Sequence, residues 1–143
     1  MTTRCSIALL FSSLISPCFA ALEAPVYSIG DQALGGTVFF STADGTHGLV
    51  VANNDQGKTY MARGADFCSD STLFDVEGQA YTDWKMPTGT QLKHLYDQRM
   101  LVGNLMADRY WASSGDMLRN FKTGFREYDD FSHDHLIRCI RTF

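Results

Sequence analysis

The sequence lacks the short motifs that mark the commonest catalytic sites. It contains no G-x-S-x-G, no H-E-x-x-H and no phosphate-binding loop, and no pattern around Ser113 and Ser114 supplies a general base. These absences argue against serine hydrolases, zinc proteases and nucleotide-binding enzymes. We therefore expect a protein that is not an enzyme and that requires no cofactor and no metal.

Long apolar runs, internal repeats and low-complexity tracts are missing as well. A transmembrane helix needs about 20 consecutive apolar residues, and the longest apolar run here is nine residues, Ile7–Ile15. We expect no stable membrane insertion. The 143 residues are enough for one ordinary domain with a single hydrophobic core.

That apolar run belongs to a pattern typical of a secretory signal peptide over residues 1–20. Arg4 supplies the positive charge ahead of it, and small residues stand three and one positions before the predicted cleavage site, which follows Ala20. We expect an exported protein, periplasmic or secreted. Lipid attachment at Cys18 is an alternative, which the proline directly before that cysteine disfavours.

The mature chain, residues 21–143, is acidic, but its charge is uneven. It carries a net charge of −5, made up of −6 over residues 21–82 and +1 over residues 83–143. An acidic chain repels nucleic acid at long range, so we expect no nucleic-acid partner. The more basic second half leaves room for a local cationic cluster.

Only two cysteines, Cys68 and Cys139, stay in the mature chain. In an oxidising compartment two cysteines most simply form one disulfide. A reactive thiol or a metal ligand would need neighbours that the sequence does not supply, since there is no C-x-x-C and no histidine adjacent to either cysteine.

The remaining pattern predicts an α+β domain, because strands are followed by helices and then by strands again. The predicted elements are a hairpin of 35–41 and 49–52, a short helix within 58–74 that carries Cys68 inward, a helix after Thr88, and strands at 110–114, 117–125 and 136–143. A turn at Gly115–Asp116 and a polar loop over 126–135 connect the last three strands.

The helix after Thr88 has the clearest signals. Thr88 is a good N-cap, and Gln91 completes a capping box with it. The apolar residues recur at helical spacing (Leu92, Leu95, Tyr96, Met100), and Gly103 is a plausible stop. The preceding block, Asp83–Thr88 (DWKMPT), reads as a structural bracket before this helix, with a binding role as the alternative.

Four ordered blocks resemble a known family, the C-terminal domain of the Legionella collagen-like adhesin. They are "IGDQALGGTVFFSTADGTHGLVVA" (29–52), "DWKMPTGTQL" (83–92), "YWASS" (110–114) and "IRCIRTF" (137–143). The resemblance implies a C-type-lectin-like fold, with a twisted antiparallel sheet, two flanking helices, neighbouring termini and a Cys68–Cys139 disulfide.

The chain also departs from that family and from other lectins. Lys85 and Met86 stand where the family prefers Arg and Leu. There is no collagen-like repeat, so the adhesin's multivalency is not carried over. Whether the protein forms a homo-oligomer is left open by the sequence. The E-P-N, Q-P-D and W-N-D triplets of calcium-dependent lectins are missing. The implied fold therefore does not by itself predict calcium-dependent sugar binding.

A few side chains are candidates for ligand binding. Trp111 could stack on a sugar ring, although aromatic residues in strands more often enter the core. Arg119, Lys122 and Arg126 form a loose basic group that suits the sulfates or carboxylates of an acidic glycan, with a solvated surface as the alternative. His133 and His135 suggest zinc, but no third ligand has a recognisable spacing.

These observations favour an exported, non-catalytic binding module. Its expected partner is a surface glycan, sulfated or otherwise acidic, or a protein contacted in adhesion. The alternative is a structural or assembly component of a pilus or secretion apparatus in the cell envelope, docked to an envelope protein.

Overall fold

The computed structural model describes residues 20–114 and 117–143. The predicted signal peptide, apart from Ala20, and the predicted Gly115–Asp116 turn lie outside the described residues. The described chain is a mixed α+β domain with two sheets, short helices and one disulfide.

The first sheet has four antiparallel strands in the order β1-β2-β3-β9. Their bounds are β1 Gln32–Ala33, β2 Gly36–Ser41, β3 Gly48–Ala52 and β9 Ile140–Thr142. The predicted hairpin is confirmed as β2 and β3. Gly36 lets these strands approach closely, because a Cβ atom at this position would lie 2.0 Å from the Val51 carbonyl oxygen.

The β2–β3 hairpin separates two hydrophobic cores, because successive strand residues face opposite sides of a sheet. Val38 and Val50 pack with Cys68 and Trp84 on one side. On the other side, Phe39 and Val51 belong to a second core that includes residues of the long helix. This double burial explains why the hairpin reads as a nearly continuous apolar run.

The second sheet has five strands in the order β4-β8-β5-β6-β7. Their bounds are β4 Gly57–Thr59, β5 Arg109–Trp111, β6 Met117–Asn120, β7 Arg126–Tyr128 and β8 His135–Ile137. Neighbours are antiparallel except β5 and β8, which pair in parallel at Tyr110 and Leu136. The predicted antiparallel arrangement is therefore correct for every other strand pair.

In the described part of the chain three α-helices pack around the sheets: α1 Gly64–Ser69, α2 Gly89–Asp97 and α3 Arg99–Val102. The short helix predicted within 58–74 is confirmed as α1, and it buries Cys68. The predicted capping box of α2 is also confirmed, since the Thr88 hydroxyl accepts from the Gln91 backbone and the Gln91 side chain accepts from the Thr88 backbone.

The predicted apolar face of the long helix holds only in part. Leu92 and Leu95 are fully buried, but Met100 is 84% exposed. The reason is a break at Gln98, where α2 ends and the separate turn α3 begins, so residue 100 no longer follows the periodicity of α2. Gly103 ends α3 with a positive φ of 68°, as predicted.

The prediction of one strand over 136–143 is wrong. The chain forms β8 in the five-stranded sheet, leaves it at Arg138 and Cys139, and continues as β9 in the four-stranded sheet. Strand predictions elsewhere in this half also need correction, because β6 ends at Asn120 and the predicted loop 126–135 begins with β7.

The crossing segment is fixed by Arg138, whose side chain is 1% exposed. Its guanidinium donates to the Asp55 carboxylate at 2.8 Å and to the backbone oxygens of Ala52 and Asn104 at 2.8 and 2.9 Å. Tyr110 also donates to Asp55, at 3.0 Å. Burial, with the nearby Asp55 charge, raises the pKa of Tyr110, so its hydroxyl stays protonated as a donor.

The next residue along, Cys139, forms the predicted disulfide with Cys68. The Cα atoms of the two cysteines are 5.7 Å apart. The bridge joins α1 to the crossing segment over a sequence separation of 71 residues. In the chain-entropy account a loop of this size stabilises the fold by about 4 kcal/mol. Arg138 and Cys139 together therefore fasten the crossing segment to β3, the loop after it and α1.

None of the helices within residues 20–114 and 117–143 has the length and apolar character needed to cross a bilayer.

Replacing Arg138 by alanine should destabilise the protein by about 3 kcal/mol or more, because it leaves the Asp55 carboxylate largely buried without its cation. The measurement is the free energy of unfolding from urea denaturation at pH 7. Arg109→Ala is the matched control: it removes an exposed ion pair with Glu127 and should cost under about 1 kcal/mol. Equal losses for the two variants would contradict this account of the crossing segment.

Candidate functional site

The DWKMPT block is an extended segment fastened to β9. The backbone of Lys85 exchanges two hydrogen bonds with Ile140, both 2.8 Å long. Trp84 is 6% exposed, donates its indole N–H to the Gly78 carbonyl at 2.9 Å and stacks on Phe74 at a centroid distance of 5.0 Å. These contacts give the block the bracketing role expected from the sequence.

Asp83, the first residue of the block, pairs with Arg141 of β9. The Arg141 Nε and Nη2 atoms donate to the two carboxylate oxygens at 2.8 and 3.2 Å, and Nη1 donates to the Leu34 carbonyl at 2.9 Å. The guanidinium also lies 3.9 Å from the centre of the Tyr81 ring. Hydrogen bonding from Arg141 lowers the pKa of Asp83, so this carboxylate is held ionised as a structural partner.

The same block lines a cavity of about 530 Å³. Its floor is apolar and includes Trp84, Met86 and Cys68, while Met61 and Ala65 form a wall on the side of α1. Polar atoms come from Lys85, Thr88, Gln91 and Ser113, among others. We call this space the apolar cavity.

A second cavity of about 310 Å³ adjoins it at Thr88 and lies at the start of α2. We call it the basic cleft, because it is lined by Lys93, Arg119 and Arg126. Gly89 leaves room there for the Met117 side chain, whose Cε atom would lie 1.9 Å from a Cβ at residue 89.

Two arginines of the basic cleft face each other across β6 and β7, where Arg119 pairs directly with Arg126. Like charges at opposed positions of an antiparallel pair destabilise a sheet. Desolvation lowers the pKa of Arg119; the charge of Asp97 opposes this shift, and the charge of Arg126 adds a smaller contribution to it. Its Nη1 donates to the Gly124 carbonyl at 2.6 Å, but its buried Nε has no hydrogen-bond partner. An anion in the cleft would relieve this electrostatic cost.

The structure brings together part of the basic group predicted from the sequence. Arg119 and Arg126 line the cleft, whereas Lys122 is exposed and does not line it. Lys93 takes the third position, and it also pairs with Asp97 at 2.7 Å. Lys93 was not among the predicted residues, because it becomes part of a cleft wall only when α2 packs beside β6.

The ligand role considered for Trp111 finds no support, because its side chain is 0% exposed. The indole N–H donates to the Thr59 carbonyl at 2.8 Å, and His135 packs edge-on against the ring at 4.9 Å. A ring without an accessible face cannot stack on a sugar, so Trp111 serves as a core residue.

His133 and His135 do share a partner, but it is Asp129. The Asp129 carboxylate contacts His135 Nε2 at 2.8 Å and His133 Nδ1 at 3.1 Å. Oxygen or nitrogen atoms of Asp129, Asp130 and His133 lie within 4.8 Å of one another, a spacing that a metal ion could bridge. The hydrogen bonds already account for this grouping as a clamp on the loop 129–135.

Comparisons with known proteins add no family to this description. No protein-family model matches the chain, and no curated protein sequence matches it.

Replacing Asp129 by asparagine should lower the pKa of His133. Hydrogen bonding and charge from Asp129 raise this pKa, so the ion pair is complete below the ordinary histidine value near 6.5 and is lost as pH rises through the raised value. NMR titration of the His133 ring measures the change. Asp130→Asn is the control and should shift it less, since Asp130 lies 4.0 Å away. Identical titration in D129N and the parent protein would contradict the clamp.

Proposed function

We propose that this protein is an exported binding module that recognises an acidic surface glycan through the basic cleft. The observation that carries the proposal is the convergence of Lys93, Arg119 and Arg126 on one cavity. These residues come from α2, β6 and β7, so the cluster depends on tertiary packing. Arginine forks suit sulfate and carboxylate groups, which accept paired hydrogen bonds in a plane.

The surface beside the cleft has the mixed character that sugar recognition uses. Arg126 lies over the Tyr128 ring, with its guanidinium carbon 4.9 Å from the ring centre. Phe125 is 72% exposed and Tyr128 is 60% exposed. An apolar sugar face can pack on such rings while its acidic substituents meet the cations. This arrangement replaces Trp111 as the aromatic component of the proposed site.

A C-type-lectin-like architecture is part of the proposal. It is supported by the α+β content, the largely antiparallel sheets and the Cys68–Cys139 bridge. The two ends of the described domain also lie together, because Phe143 packs edge-on against Tyr27 at 5.2 Å. The disulfide supports export as well, since such bridges persist in oxidising compartments.

An assembly component of the cell envelope is the second candidate, and an exposed apolar surface favours it. Met100, Leu101 and Met106 are 84%, 62% and 56% exposed, and they lie on α3 and the loop that follows it. Apolar side chains gathered on a surface often mark protein–protein contacts. This surface is formed by other residues than the basic cleft, so substitutions can separate the two candidates.

The glycan proposal predicts salt-dependent retention on immobilised heparin, with lower affinity in Arg126→Gln and Lys93→Gln. Loss of one charge-assisted contact should weaken binding about tenfold. Lys122→Gln is the matched control, because it removes the same charge from an exposed position outside the cleft. The measurement is the dissociation constant for a heparin oligosaccharide at several salt concentrations.

Equal losses in K122Q and R126Q would show attraction by overall charge and would contradict recognition by the cleft. If heparin does not bind at low salt, the result contradicts the glycan proposal and favours an assembly component of the cell envelope. In that case Leu101→Glu should abolish co-purification of a stoichiometric envelope protein, while R126Q should leave it intact.

A further inference from the structure

We infer that the ligand of the basic cleft is an amphipathic anion, whose apolar group enters the neighbouring apolar cavity. This inference rests on the proposed function and specifies its ligand: an acidic group joined to an acyl or aryl substituent, as in an acylated or lipid-linked acidic glycan. The argument depends on how the two cavities adjoin, on their lining and on their charge.

The two cavities meet along one seam. Thr88 lines both of them, and the consecutive residues Ser113 and Ser114 line the apolar cavity and the basic cleft respectively. The seam is fixed, because the Ser113 backbone N–H donates to the Pro87 carbonyl at 2.8 Å. The Thr88 hydroxyl is held by the capping box of α2. A ligand that spans Thr88 would therefore contact both cavities.

The apolar cavity suits a hydrocarbon group better than a sugar. Its volume of about 530 Å³ lies within the range of small-ligand pockets. Met61 and Met86 are both part of its lining, and thioether side chains adapt to ligands of different shape. Sugar hydroxyls placed against Met61, Trp84 and Met86 would lose hydrogen bonds to water without replacement, whereas an acyl or aryl group would lose none.

Charge decides which end of the ligand lies in the cleft. The described residues that line the two cavities include four cations, namely Lys85, Lys93, Arg119 and Arg126, and no carboxylate. Lys85 lies on the apolar side and is exposed at its rim. Asp97 offsets part of this positive charge through its pair with Lys93. A cationic amphiphile is still disfavoured, and a neutral one leaves the buried Arg119 Nε without a hydrogen-bond partner. An anionic head group complements both features.

Octyl sulfate tests this inference when compared with two reference compounds. Ethyl sulfate has the charge without the chain, and octyl glucoside has the chain without the charge. All three are titrated below their micelle concentrations, and binding is followed by NMR at the Trp84 indole and the Thr88 amide, with heparin displacement as a second readout. We expect octyl sulfate to bind at least about tenfold more tightly than either reference compound.

Variants show which cavity binds the apolar half of the ligand and which binds the anionic half. Ala65→Trp, or Ala62→Trp if the first variant is unstable, fills the apolar cavity from exposed positions on its wall. It should remove the advantage of octyl sulfate and leave ethyl sulfate and heparin binding unchanged. R126Q should weaken the binding of both octyl sulfate and ethyl sulfate. Ala43→Trp, at an exposed position in the β2–β3 loop, is the control for the tryptophan variants, and K122Q is the control for R126Q. Both controls should leave the binding of the two sulfates unchanged.

The outcomes separate this inference from the proposed function. If octyl and ethyl sulfate bind equally and both depend on Arg126, the amphipathic ligand is overturned and the glycan proposal stands. If octyl sulfate and octyl glucoside bind equally, with no dependence on Arg126, the inference is overturned, because the cavity then requires no anion. A tenfold advantage that A65W and R126Q each remove supports it.

Discussion

The crossing of the chain between its two sheets, at Arg138 and Cys139, is the constraint on which the rest of the structure depends. Both residues leave the ladder of β8 before β9 begins, so their side chains and backbone need partners elsewhere. Arg138 finds Asp55, Cys139 is bonded to Cys68, and the Cys139 backbone N–H donates to the Gln56 side chain at 2.8 Å. The interruption between β8 and β9 would otherwise weaken both sheets. The contacts of Arg138 and Cys139 instead connect the sheets to α1 and to the loop after β3.

The candidate site inherits its geometry from this crossing. Once β9 is placed, it pairs with Lys85 and holds Asp83 through Arg141, which fixes the DWKMPT block. That block then lines the apolar cavity beside Cys68 and leads into the N-cap of α2. The basic cleft adds β6 and β7, whose opposed arginines meet Lys93 across the start of α2. The proposed recognition and the stability of the fold therefore depend on different faces of the same few segments.

Local signals in the sequence predicted the parts that local chemistry determines. The capping box of Thr88, the β2–β3 hairpin and the burial of Cys68 each depend on residues close in sequence or on composition. The sheet exchange at Arg138 was not predictable, since the ion pair that holds this residue joins it to Asp55, 83 positions earlier. Similarly, Lys93 joins the cleft only through tertiary packing, and Trp111 is buried because β5 lies inside its sheet.

Native-state hydrogen exchange on the oxidised protein tests the role of the crossing segment most directly. The amides to follow are Ala52, which donates to the Cys139 carbonyl, Gln56, which donates to Ile137, and Ile140, which donates to Lys85. If the crossing unites the sheets, all three should exchange with the free energy of global unfolding, as should Leu118 in the core of the five-stranded sheet. Exchange of Ala52 and Ile140 at a distinctly lower free energy than Leu118 would show that the sheets open separately, and would contradict this account.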